Sequence, residues 1–161
     1  MSKLVIAISG SPGTGKSTLA KILVKKLGLD RLELHKYYQK ISTSYDKKKQ
    51  SYVIDYKKFE RLVEEKRKEA KKGLIIDSHI SHQLPKGLVN RCIILTCSDL
   101  KKLEARLKRR KYSKKKIREN LDAEIFQICL MEAKEKGHKI ITLDTAREMD
   151  KNIVKIAKRL H

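Results

Sequence analysis

The segment Gly10-Ser11-Pro12-Gly13-Thr14-Gly15-Lys16-Ser17-Thr18 reads G-x-x-x-x-G-K-[ST]. Glycines at this spacing let the backbone curl so that successive N–H groups point inward and hold phosphate oxygens. A helix opening at Lys16 would add its positive N-terminal end. Lys16 would reach the β- and γ-phosphates, and the Ser17 hydroxyl is a candidate Mg²⁺ ligand. Gly10, Gly13, Thr14, Gly15, Lys16, Ser17 and Thr18 are therefore the candidate residues for a nucleoside triphosphate, taken here as ATP with Mg²⁺. A merely flexible glycine turn would not account for Lys16 and Ser17 at the start of a helix.

A second group of residues fits beside that loop. Asp77 ends the apolar run Leu74-Ile75-Ile76, the layout of a carboxylate at the edge of a parallel sheet that holds Mg²⁺ directly or through water. Two residues on, His79 could orient or deprotonate a nucleophile near neutral pH. Asp77, His79 and His82 also form a loose metal-like set, but no cysteine joins them, so a zinc site is not expected. Residues 101–119 carry eleven Lys or Arg against two Glu, a local charge of +9. Within them Arg106 and Arg110 lie one helical turn apart and could neutralise a transferring phosphoryl group. Lys102, Lys108 and Lys111 read as solvated. The catalytic candidates are thus Lys16, Asp77, His79, Arg106 and Arg110. No N/TKxD or DxxG element is present, which excludes a small GTPase.

Those residues need a scaffold. The run from Lys3 to Ser9 is nearly all apolar and β-branched, as for a strand buried on both faces. Leu19, Ile22, Leu23 and Leu27 make a helical stripe that Gly28 ends. Arg31–Leu34 could be a short strand, and Lys36–Ser51 reads as a mobile, tyrosine- and lysine-rich arm. Asp55 is a candidate N-cap for a helix to Lys72. Leu74–Asp77, Arg91–Thr96 and Lys139–Leu143 read as further strands, with a loop at His79–Asn90. Helices are expected from Ser98 or Asp99 to Arg110, in one long piece from Lys115 to Lys136, and from Glu148 to Leu160. The alternation argues for a parallel sheet covered by helices on both sides.

The chain has 161 residues, 40 Lys or Arg and 19 Asp or Glu, for a net charge of +21. Its length suits one domain, 1–161. No apolar run approaches the roughly 20 residues that span a bilayer, and no secretory leader is evident, so no membrane association is expected. The odd set Cys92, Cys97 and Cys129, without CxxC, argues against a disulfide framework or zinc ribbon; Cys92 and Cys97, at an apolar run, are expected to be buried, in a reducing cytoplasm. The excess positive charge favours polyanionic partners such as RNA.

The segments GSPGTGKST, IIDSH, ARLKRRKYSKKKIREN and DAEIFQICLMEAK together resemble the adenylate kinase isoenzyme 6 family, also called the CINAP family. The resemblance spans about Leu4 to Ile156. It implies a three-layer α/β P-loop NTPase fold, with a five-stranded parallel sheet flanked by helices. It also implies a nucleoside monophosphate (NMP) arm at about 33–54 and a LID at about 109–119. The activities implied are phosphoryl transfer from ATP to a nucleoside monophosphate such as AMP, and ATP hydrolysis. The role implied is late maturation of the small ribosomal subunit, through a platform ribosomal protein and rRNA or the pre-small-subunit particle. Asp77 and His79 fall on the family's D-x-H motif and Arg110 on its LID arginine. The family's LID glycine is replaced by Lys111, its arm arginine by Gln39, and the loop after D-x-H reads Gln83-Leu84-Pro85-Lys86; these changes predict weaker AMP binding. The alternative is an ATP-gated chaperone of RNA or ribosomal protein with incidental kinase turnover.

Overall fold

Alternate residues of the first strand face opposite ways, and both sets are apolar, so both faces must be covered. The computed structural model, which describes residues 3–160, shows how. Strand β1 (Leu4–Gly10) is flanked by β5 (Gly73–Asp77) and β6 (Arg91–Thr96); β2 (Asp30–Glu33) and β7 (Ile140–Asp144) complete a parallel sheet of order β2-β5-β1-β6-β7. Val5, Ala7, Leu74, Ile76, Cys92 and Ile94 face α3 (Tyr56–Glu69) and α6 (Ile128–Glu135). Ile6, Ile8, Ile75, Ile93, Leu95, Ile141 and Leu143 face α1 (Lys16–Leu27) and α7 (Met149–Arg159). Each fully buried Ile or Leu contributes about 1.5–3 kcal/mol of burial. The three-layer P-loop NTPase fold expected from the sequence is present.

A third apolar group, Cys97, Leu103, Leu107 and Ile117, joins α4 (Leu100–Arg109) to α5 (Lys114–Ile125). The Asp99 and Ser113 side chains accept from Lys102 and Lys116 N–H and cap these helices. Cys92 and Cys97 are buried, as expected. Among the described residues, no helix is long and apolar enough to cross a membrane.

Three expectations need correction. The helix after Asp55 ends at Glu69 and not at Lys72, because Ala70 turns to an extended ψ of 145°. The helix expected over Lys115–Lys136 is two helices: Gln127 adopts a left-handed φ of 51°, which ends α5 and starts α6 in a new direction. The apolar residues on either side of the break, Ile125 and Ile128, are exposed; α5 packs through Ile117 and Leu121 on the α4 group and α6 through Ala133 on the sheet core. The Lys36–Ser51 segment is not shapeless. It holds the short helix α2 (Tyr38–Ile41) and an antiparallel hairpin of β3 (Ser42–Asp46) and β4 (Ser51–Ile54). Ile41 is buried, and Tyr37, Tyr38 and Ile54 pack on the core, anchoring the hairpin at its base.

Candidate active site

The loop after β1 is built as its sequence requires. A Cβ on Gly10 would stand 2.6 Å from the Leu95 carbonyl oxygen and 2.9 Å from Thr14 Oγ1, so no side chain fits there. Gly15 has φ +95° and forms the N-cap of α1, a conformation that side-chain-bearing residues rarely adopt. The buried Thr14 donates through Oγ1 to the Ser11 carbonyl at 2.7 Å, which closes the loop. Lys16 Nζ folds over it and donates to the Gly10 and Ser11 carbonyls at 3.0 Å each. Burial is the main cause that lowers the Lys16 pKa to about 8, and the charge of Arg110 adds to it.

Asp77 lies at the C-terminal edge of β5, beside the loop. Ser17 Oγ donates to its Oδ2 at 3.3 Å. Arg31, which the sequence did not single out, grips the same carboxylate from β2: Nε to Oδ1 and Nη2 to Oδ2, both 2.8 Å. This bidentate pair is largely buried, and the hydrogen bond to Asp77 raises the Arg31 pKa. The available signal was a lone arginine in a short strand, which means little until β2 is known to pair with β5. The hydroxyl of Ser17 and the carboxylate of Asp77 converge as hard oxygen donors, a set that fits Mg²⁺. Arg31 fixes the orientation of the Asp77 carboxylate. Among the described residues there is no group of three or more His, Cys, Asp or Glu able to hold a metal ion.

His79 follows Asp77 on the same edge. Its side chain is exposed and lines the cleft. Loss of hydration in that concave position first, and the charge of Lys16 second, lower its pKa to about 4. The imidazole is therefore neutral at pH 7. His82 behaves otherwise. It is 3% exposed, its Nδ1 lies 2.6 Å from Ser9 Oγ, and its Nε2 lies 3.1 Å from Glu132 Oε2. Gln83 bonds the same carboxylate. Ser9 is wholly buried, so this Ser-His-Glu chain has no substrate access; it braces the residue just before Gly10. Glu132 lies fifty residues from His82, and sequence spacing does not connect the two.

The Arg106 guanidinium donates to the Gly13 carbonyl at 3.2 Å and to the Thr145 carbonyl at 3.2 Å, tying the loop to the segment after β7. Its side chain also borders the cavity beside Gly13, Thr14 and Gly15. Arg110 is the arginine that reaches the cleft.

Three cavities meet in series. One of about 460 Å³ is lined by Gly13, Thr14, Gly15, Thr18, Arg106, Arg109 and Arg110, with Thr145 and Met149. A cleft of about 160 Å³ follows, walled by Lys16, Ser17, Asp77, His79, Arg110 and Tyr112 among others. The next, of about 520 Å³, is lined by Tyr38, Tyr45, Gln50, Ser51, Tyr52, Ile54 and His79. Arg110 borders the first and second, and Tyr38 and His79 border the second and third. Two binding volumes thus open on one narrow cleft floored by Lys16.

Residues 6–127 match the family model of the AAA domain. A protein of Methanocaldococcus jannaschii named "Putative adenylate kinase" is 40% identical over 152 residues, covering 92% of this chain and 81% of the relative. The Caenorhabditis elegans "Adenylate kinase isoenzyme 6 homolog" is 31% identical over 159 residues, covering 95% and 87%. Among solved structures, deoxyadenosine kinase from M. mycoides with dCMP and dCDP bound superposes with a TM-score of 0.58 over 98% of both chains. At 17% identity that likeness speaks for the fold alone.

Proposed function

We propose that this chain, which belongs to the AAA domain family and to the family of its adenylate kinase-named relatives, transfers the γ-phosphoryl group of ATP to a nucleoside monophosphate, with AMP the first candidate. The observation that carries this reading is the pair of cavities joined by one cleft floored by Lys16. ATP would lie in the first with its triphosphate along the loop amides. The monophosphate would enter the second, where the arm's tyrosines offer faces for a base.

The chemistry asked of the protein is positioning and charge neutralisation. The loop amides hold the β- and γ-oxygens. Lys16 and Arg110 lie on the path of the transferring group. Ser17, with Asp77 held by Arg31, would bind Mg²⁺, which neutralises phosphate charge when bound. His79, neutral at pH 7, is placed to accept a proton from a water entering from the acceptor side, and this supports ATP hydrolysis as a second activity. Arg106 acts as a positioning residue for the loop. The arm at about 33–54 and the LID at about 109–119 are the parts of this single domain that would close over the nucleotides. ADP formation from ATP should accelerate at least tenfold on adding AMP. An identical rate with and without each monophosphate would refute the kinase reading and leave hydrolysis.

A net charge of +21 exceeds what a metabolite kinase needs, and it favours a further role in late maturation of the small ribosomal subunit. In that reading the cytoplasmic protein binds a platform ribosomal protein and rRNA or the pre-small-subunit particle, as an ATP-driven assembly factor. Reversing Lys114, Lys115 and Lys116 to Glu should weaken binding to RNA and flatten its salt dependence; an unchanged slope would contradict this role.

A further inference from the structure

We infer that the hairpin of β3 and β4 is a stacking platform for single-stranded nucleic acid, separate from the basic run at Lys114–Lys116. The inference deepens the nucleic-acid part of the reading above and does not depend on which phosphoryl acceptor is used.

Residues 36–58 hold five of the chain's six tyrosines and seven lysines against two aspartates. The hairpin arranges them. Tyr45 and Tyr52 are cross-strand partners, with ring centroids 5.0 Å apart edge to face, and Tyr38 continues the row 6.2 Å from Tyr52. Tyr45 is 50% exposed and Tyr52 38%, which is more than pairing across two strands requires. The tip is built to present charge. Asp46 Oδ1 accepts the backbone N–H of Lys48 and Lys49, which fixes the turn and turns their side chains out. Asp55 is likewise committed, to the N–H groups of Lys57 and Lys58. Both carboxylates of the segment therefore serve backbone amides, and among the described residues Lys47, Lys48, Lys49, Lys57 and Lys58 form no ion pair.

Exposed aromatic faces beside unpaired ammonium groups fit a strand whose bases are free to stack and whose phosphates lie alongside. A duplex buries its base faces, and an acidic peptide offers none. The row ends at Tyr38 and His79, on the acceptor cavity, so a bound strand would run from that cavity toward the lysine tip.

The test is fluorescence anisotropy on the full chain, with labelled oligouridylate and oligothymidylate of about twelve nucleotides and a duplex of equal length. Both single strands should bind better than the duplex, and a tighter oligouridylate would mark RNA as the source. Tyr45→Ser with Tyr52→Ser should weaken binding about tenfold or more, while Tyr45→Phe with Tyr52→Phe, which keeps the faces, should stay near wild type. Lys47, Lys48 and Lys49 changed together to Glu should lower the salt slope by about 2. If the Lys114–Lys116 reversal removes binding and the hairpin variants do not, the platform is overturned while the RNA reading stands. If poly-glutamate competes as well as unlabelled oligonucleotide, attraction is charge alone and the platform is also overturned. If neither single strand binds, both ideas fall and the kinase reading is untouched.

Discussion

At the scale of single residues, Lys16, Asp77 and His79 have separable duties. Lys16→Ala should reduce turnover at least a hundredfold, because it removes the ammonium on the loop floor; a steady-state assay at saturating ATP measures this. The Lys16 pKa of about 8 gives a further check. A triphosphate favours the charged form, so calorimetric affinity should fall as pH rises above about 8 and hold steady below it. His79→Ala should cut hydrolysis about a hundredfold while ATP binding is retained; equal losses in both would make it structural. With its pKa near 4, His79 stays neutral from pH 8 to pH 6, so hydrolysis should be flat there on its account and fall as pH nears 4. The same shift bears on stability. Between the ordinary value of 6.5 and about 4 the unfolded chain binds this proton more readily, so its contribution to stability is lost as pH falls through that window. Arg31→Lys keeps a positive charge and loses the fork. It should lower kcat about tenfold and raise the Mg²⁺ concentration needed for half-maximal rate, with little change in ATP affinity.

At the scale of elements, two left-handed residues mark where local sequence yields to tertiary packing. Lys111 has φ 59° in the turn between α4 and α5, where the resembling family has glycine, and Gln127 has φ 51° between α5 and α6. Side-chain-bearing residues there cost roughly 1–2 kcal/mol, partly offset by the lower entropy of their unfolded chain. Lys111→Gly should therefore raise Tm by about 2 °C in calorimetry, and a lowered Tm would contradict the turn's geometry. The strands, the P-loop and the pair Asp77 and His79 were legible in the sequence because apolar runs and the glycine pattern are local signals. What escaped it depended on elements meeting in space: the Arg31 clamp on Asp77, the Glu132 support of His82, and the turning of the Arg106 guanidinium onto Gly13 and Thr145. The break at Gln127 escaped for another reason, since glutamine carries no turn signal of its own. The hairpin hid behind polar composition, because its cohesion comes from cross-strand tyrosines and a buried base at Ile41, not from a core-facing stripe.

At the scale of the whole molecule, one sheet edge gathers the loop, the carboxylate and the histidine, while the turn between α4 and α5 and the hairpin of β3 and β4 border the cavities beside them. Strongly positive surroundings favour nucleotides and longer polyanions alike, and under the proposed reading the narrow cleft would decide which phosphate meets which acceptor. The decisive measurement follows the label of γ-³²P-ATP in the presence of equimolar AMP. Transfer across the cleft predicts that the label appears mainly in the β-phosphate of ADP, and that Lys16→Ala abolishes it. Label recovered only as inorganic phosphate, at the same rate whether AMP is present or absent, would contradict the account.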